Sequence, residues 1–153
     1  MLFLVFQLGP DRYALDAKRV AEVLPLVDMK SIPHAPNGIV GVFNYRGTPV
    51  PVIDLTQLTL GTTARRCLST RIVLVHDTGD WGEQRVLGLM AEHATETVRR
   101  EPADFVPTGV ANGAAPYLGP VATDARGLLQ WIEMDTLLPP SVKAALFSQV
   151  LDQ

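Results

Sequence analysis

Apolar residues along this chain recur with the period-two or unbroken patterns of β-strands, and a helical repeat emerges only near the C-terminus. Leu2, Leu4 and Phe6 alternate with Phe3 and Val5, a run that suits a strand covered on both faces. Gly9-Pro10-Asp11 supplies turn chemistry and Tyr13-Ala14-Leu15 begins a return strand, so residues 2–16 read as a hairpin. Val20 to Val27 forms the next strand, with Pro25 marking an edge or bulge, and Ser31 to Gly38 is loop by composition. A second hairpin is predicted from Ile39 through Phe43, around Asn44-Tyr45-Arg46-Gly47, and out through Val50, Val52 and Ile53. Pro49 and Pro51 remove two N–H groups from one side of the outgoing strand, which predicts an edge strand. Asp54 then caps a short helical turn through Leu58.

The second half has the same character. Arg71 to His76 is a strong strand, His76 to Gln84 a polar loop, and Arg85 to Met90 the returning strand. Residues 99–116 carry Pro102, Pro107, Gly109 and Gly113 with little periodicity. Residues 117–123 and 127–132 form a last strand pair. Pro139-Pro140 ends that unit, and Ser141 opens a helix in which Val142, Leu146 and Val150 recur every four residues. The element order repeats as well. Tyr13-Ala14-Leu15 and Ala21-Glu22-Val23-Leu24 match Leu87-Gly88-Leu89 and Thr95-Glu96-Thr97-Val98. Gly41 and Ile53-Asp54-Leu55 match Gly119 and Ile132-Glu133-Met134. Two halves of about five strands are each too small to stand alone easily. The pattern therefore predicts an all-β protein with short helices, built as two small barrels packed as one unit; a single larger sandwich is the competing architecture.

Composition narrows the function. The chain of 153 residues is 47% hydrophobic and 19% charged, ordinary values for a globular protein. Thirteen basic against sixteen acidic residues give a net charge of −3, the wrong sign for a nucleic-acid footprint. Met1 to Phe6 is far shorter than a membrane span and lacks the flanks of a secretion signal. The lone Cys67 forms no internal disulfide and fits a reducing cytoplasm. The expectation is a soluble cytoplasmic protein.

Catalytic signatures are scarce. The chain holds no phosphate-binding glycine loop and no nucleophile elbow. His34, His76 and His93 lack partners at metal-ligand spacing, and neighbouring Glu92 and His93 point to opposite faces of a strand. No metal and no cofactor are expected. Cys67 follows Arg65-Arg66, whose charges favour a thiolate, but no base accompanies it. Asp77-Thr78-Gly79 is the triplet of dimeric aspartic proteases. Against that reading stand Asp80, where that chemistry wants a small residue, the closeness of Val86-Leu87-Gly88, and the ordinary use of Asp, Thr and Gly in hairpin loops. A structural or small-ligand barrel is the other alternative. What remains is binding surface: Tyr45 and Arg46 at a hairpin tip, and Glu22 on a strand with Val20 on its own face.

The segment Gly41-Val42-Phe43-Asn44-Tyr45-Arg46-Gly47-Thr48-Pro49-Val50-Pro51-Val52-Ile53-Asp54-Leu55 resembles the signature of CheW-type chemotaxis coupling proteins. Phe6-Gln7-Leu8-Gly9, Val20-Ala21-Glu22-Val23-Leu24, Ile32-Pro33-His34-Ala35-Pro36 and Thr70 to Val75 agree with it, so the resemblance covers essentially the whole chain. It implies one domain over 1–153, made of two five-stranded SH3-like barrels around a shared hydrophobic core, with a C-terminal helix. The division falls at about 12–66 and 67–138, the terminal segments being open to exchange between the two. It further implies a scaffold without catalysis. One surface would hold the cytoplasmic tip of a methyl-accepting chemoreceptor, another the regulatory domain of a CheA-type histidine kinase, with no nucleic acid bound and no membrane insertion. Val20, Glu22, Asn44, Arg46 and Gly47 fall at interaction-sensitive positions, and Val20, Glu22 and Arg46 belong to the receptor side. The second half departs from the pattern at Gly88-Leu89-Met90-Ala91-Glu92 and Gly119-Pro120-Val121. That divergence points toward a dedicated partner set, such as that of a Wsp-type alternative pathway.

Overall fold

The first hairpin forms as the sequence pattern predicts, from β1 (Leu2–Leu8) and β2 (Asp11–Asp16). The computed structural model describes residues 1–36, 38–77, 85–111, 113 and 115–146. Among them follow β3 (Val20–Pro25), β4 (Ile39–Tyr45), β5 (Thr48–Asp54), β6 (Arg71–Asp77), β7 (Arg85–Arg99), β8 (Leu118–Asp124) and β9 (Gly127–Ile132). Two short helices, α1 (Leu55–Leu60) and α2 (Pro140–Ala145), complete the order.

Strand pairing resolves these elements into two rings. In the first, β3 pairs with β6, β6 with the leading half of β7, that half with β5 in parallel, and β5 with β4. In the second, the trailing half of β7 pairs with β1, β1 with β2, β2 with β9 in parallel, and β9 with β8. Each ring is completed by one backbone bridge: Lys30 to Val42 in the first, Val106 to Val121 in the second. Closure of this kind removes the open edges that a small sheet would otherwise present. The internal repeat read from the sequence is thus a repeat of position. Ala14 lies opposite Trp131 in one parallel pair, and its repeat counterpart Gly88 lies opposite Val52 in the other.

Three sequence expectations need correction. The return strand predicted to end at Met90 runs on to Arg99, and the switch from one barrel to the other comes at a bulge. There β1 advances from Val5 to Gln7 while β7 retreats from Glu96 to Glu92, and His93 takes a φ of +51°. β5 is an edge strand only along its first half. Its prolines stand at positions 49 and 51, and from Val52 onward every residue has its N–H, so Val52 to Asp54 join β7. The last helix stops at Ala145; Leu146 is already extended (φ −82°, ψ 137°), and Val150 lies outside the described residues.

Side-chain alternation explains why the apolar strands read as unbroken runs. On β1, Phe3 and Val5 face the interior of the second barrel, whereas Leu4, Phe6 and Leu8 face a core shared by both. On β6, Ile72 and Leu74 fill the first barrel while Val73 and Val75 join the shared core. Leu137, Leu138, Val142 and Leu146 seal that shared core from the C-terminal side. Each such side chain contributes about 1.5–3 kcal/mol on burial. Neither barrel retains a finished core without the other.

Candidate functional site

The second hairpin reaches its tip between Tyr45 and Thr48, which face each other across a two-residue loop. Arg46 (φ +52°) and Gly47 (φ +86°) both lie in the left-handed region, the pattern of a type I′ turn. Gly47 is suited to that backbone and Arg46 is not: a non-glycine residue there costs roughly 1–2 kcal/mol. Asn44 supports the turn by accepting the Gly47 N–H at 2.8 Å on its Oδ1. Such strain persists where the surroundings over-determine it, and functional sites are where it gathers.

The Arg46 side chain folds back over the hairpin. Its Cζ lies 4.9 Å from the centroid of the Tyr45 ring, and its Nη2 donates to Glu22 Oε1 at 3.3 Å. The Tyr45 hydroxyl donates to the same oxygen at 2.5 Å. That bond raises the Tyr45 phenol above its ordinary value, with burial adding to it, so the hydroxyl remains a proton donor well past neutrality. Glu22 reaches this point from β3 because it lies opposite Leu74, a residue of the first barrel's interior face. Tyr45 occupies the same interior phase on β4, packed against Phe43 with ring centroids 6.3 Å apart. The bond between them therefore spans the mouth of the first barrel.

The structure brings Glu22, Asn44, Arg46 and Gly47 together and sets Val20 apart. A register shift between Val20 and Glu22 places Val20 opposite Val75, and it packs on the shared core. The expectation that Val20 shares a face with Glu22 holds for a regular strand, and the bulge removes it. The sequence marks Tyr45 as hairpin-tip surface but not among the interaction-sensitive positions, and its link to Glu22 is not evident there. Its signal was there in hindsight: it is in phase with Phe43, two residues earlier, so its ring had to turn inward at the tip.

The outer face of the same hairpin is apolar. Val42 stands opposite Pro51 and Asn44 opposite Pro49, so these four share one face. With Ile32, Pro33, His34, Ala35, Pro36 and Ile39, the three apolar members Val42, Pro49 and Pro51 border a groove of about 340 Å³, whose walls include Ala145 and Leu146 at the end of α2. Ile32 is exposed there, and His34 holds a φ of +61°.

The other candidate groups have structural employment. Glu92 is buried, accepting the Arg65 backbone N–H at 3.3 Å and its Nε at 3.4 Å, while His93 is exposed. Asp54 is buried and caps α1 through Thr56 and Gln57, with Ala64 donating to its other oxygen. Among the described residues no group of His, Cys, Asp and Glu is placed to hold a metal ion. Asp77 ends β6, and Thr78-Gly79 of the protease-like triplet lie outside the described residues.

A family model described as CheW-like domain matches residues 2–140. The chemotaxis protein CheW of Helicobacter pylori is 28% identical over 106 residues, which are 69% of this chain and 61% of that one. The chemotaxis protein CheW of Rhizobium meliloti is 23% identical over 145 residues, 93% of this chain and 90% of its own. The crystal structure of a scaffolding protein, TtCheW from Thermoanaerobacter tengcongensis, superposes with a TM-score of 0.77 at 25% identity, covering 92% of this chain and 89% of that one.

Proposed function

The chain belongs to the CheW-like domain family, and on that premise we propose that it is a non-enzymatic cytoplasmic adaptor coupling methyl-accepting chemoreceptors to a CheA-type histidine kinase. The observation that carries this reading is the continuity of the apolar groove with the charged hairpin tip: Val42, Pro49 and Pro51 line the one, and Arg46 crowns the other. A receptor's cytoplasmic tip is a helical hairpin. An amphipathic helix laid in such a groove gains affinity from buried apolar area, while Glu22 and Arg46 fix its register and direction. The kinase regulatory domain docks on a separate face, so that one chain holds both partners in fixed geometry and receptor state biases the kinase. No bond is made or broken in such a role. Among the described residues no helix is long and apolar enough to cross a membrane.

Titration of a chemoreceptor cytoplasmic-tip fragment into the protein tests this. The wild type is expected to bind, and Arg46→Ala to lose about 1–2 kcal/mol, the scale of a truncated interface anchor. Equal affinity of the folded variant and the wild type would remove Arg46 from the interface, and no binding by either would remove the function.

A further inference from the structure

We propose that Tyr45 is a positioning residue, which presets the Glu22–Arg46 pair in its partner-binding geometry before any partner arrives. This rests on the receptor-docking role assigned to the hairpin tip.

An ion pair between side chains that are 76% and 37% exposed holds itself together poorly, since solvent screening and side-chain freedom both work against it. Here neither partner is left to itself. Glu22 is held by the hydroxyl of Tyr45, and Arg46 rests on the ring of Tyr45. The ring in turn is fixed by the barrel interior through Phe43, so one rigid aromatic carries both charges. The left-handed backbone at Arg46 is what directs its side chain over that ring instead of away from the hairpin. Ordering a long side chain at the moment of binding opposes association, and ordering it beforehand removes that opposition. A leucine at position 45 could still pack against Phe43 but could hold neither charge. Tyr45 thus sets how much ordering the tip still has to undergo when a partner binds.

The test compares Tyr45→Phe, which loses the hydroxyl and keeps the ring, with Tyr45→Leu, which loses both. In the free protein, the order parameter of the Arg46 Nε–H by NMR relaxation is expected to fall in Tyr45→Leu, with Tyr45→Phe intermediate. Affinity for a chemoreceptor cytoplasmic-tip fragment is expected to fall about tenfold in Tyr45→Leu and about threefold in Tyr45→Phe. Arg46→Ala should then cost much less in the Tyr45→Leu background than in the wild type, because coupled residues are non-additive. A merely structural role would lower thermal stability without grading Arg46 order in this sequence. Wild-type Arg46 order in Tyr45→Leu, or full additivity with Arg46→Ala, overturns the proposal. If the wild type fails to bind the receptor fragment, the docking function falls, and the free-protein measurement alone decides the role of Tyr45.

Discussion

Thr70 commits its hydroxyl proton to the carbonyl of Arg65 and accepts the backbone N–H of Cys67 at 3.3 Å. Its Oγ1 lies 3.4 Å from the Cys67 sulfur and therefore has no proton left to give a thiolate. Ser69, 3.3 Å from the same sulfur, is the donor that remains. It is the leading cause that holds the Cys67 thiol below its ordinary value. The expected outcome is that alkylation of Cys67 by iodoacetamide rises with pH through a midpoint below that of an ordinary thiol. Ser69→Ala should move that midpoint upward toward the ordinary thiol value of about 8.5, whereas Arg66→Gln should move it little. Stopped-flow alkylation against pH measures both, and an unmoved midpoint in Ser69→Ala would reassign the effect to other groups. The sequence showed the arginines beside Cys67 and drew attention to them; the hydroxyls two and three residues on were invisible as donors until the turn placed them. Glu22 and Arg46 are singled out by the resemblance of their segments to the CheW-type signature, since an arginine at a hairpin tip is by itself equally suited to solubility. Their link through Tyr45 joins β3 to β4 across the barrel mouth, and no sequence periodicity encodes that closure.

Strands were the most legible elements, because each barrel strand has one face in its own interior and the other in the shared core or solvent, and alternation records that directly. The sequence pattern of β7 stops short of its true end because Ala91-Glu92-His93-Ala94 breaks the alternation where the strand bulges and changes barrels. The ring closures were hidden altogether, each being a single bridge in a segment with loop composition. Gly41 shows what the first closure demands. A Cβ built at this position would lie 2.5 Å from the carbonyl oxygen of Lys30 and 3.1 Å from its carbonyl carbon, both of them backbone atoms that cannot swing aside. Lys30 and Val42 exchange both backbone bonds there, at 2.8 and 2.9 Å. Gly41→Ala is therefore expected to force the 29–30 segment off β4, forfeiting that bridge at a cost of about 2–3 kcal/mol. Hydrogen exchange should show the Lys30 and Val42 amides losing protection first. Persistence of both amides at wild-type protection would mean that β4 yields instead of the crossing segment.

The division into two barrels was legible in the order of the repeat, yet their interdependence was not, since it lives in contacts between residues far apart in sequence. Asp124 offers a way to measure it. The carboxylate stands at the rim of the second barrel, where Arg12 from β2 meets its Oδ1 at 2.6 Å, Arg100 meets its Oδ2 at 3.1 Å, and the Arg126 N–H donates at 2.8 Å. Burial alone would raise this carboxyl; the Arg126 N–H and the Arg12 and Arg100 guanidinium groups outweigh it and hold it below the ordinary range. Arg12 is only 8% exposed, so Asp124→Asn leaves a buried guanidinium without its counter-charge, at a cost of about 1–3 kcal/mol. The sign of the pH dependence follows from the lowered value. Stabilisation by the ionised carboxylate is complete above the unfolded-state value of about 3.9 and is lost as the pH falls through the lower folded-state value. The gap in urea-unfolding free energy between wild type and Asp124→Asn should accordingly be constant at neutral pH and shrink once the pH passes below about 4. If the shared core binds the barrels into one cooperative unit, amides of Val52 and Leu74 in the first barrel should lose protection in step with those of Val5 and Ala14 in the second, although the substitution touches only the second. Loss confined to the second barrel would mean that the two rings unfold separately, and that the proposed docking surface around Arg46 survives damage to its neighbour.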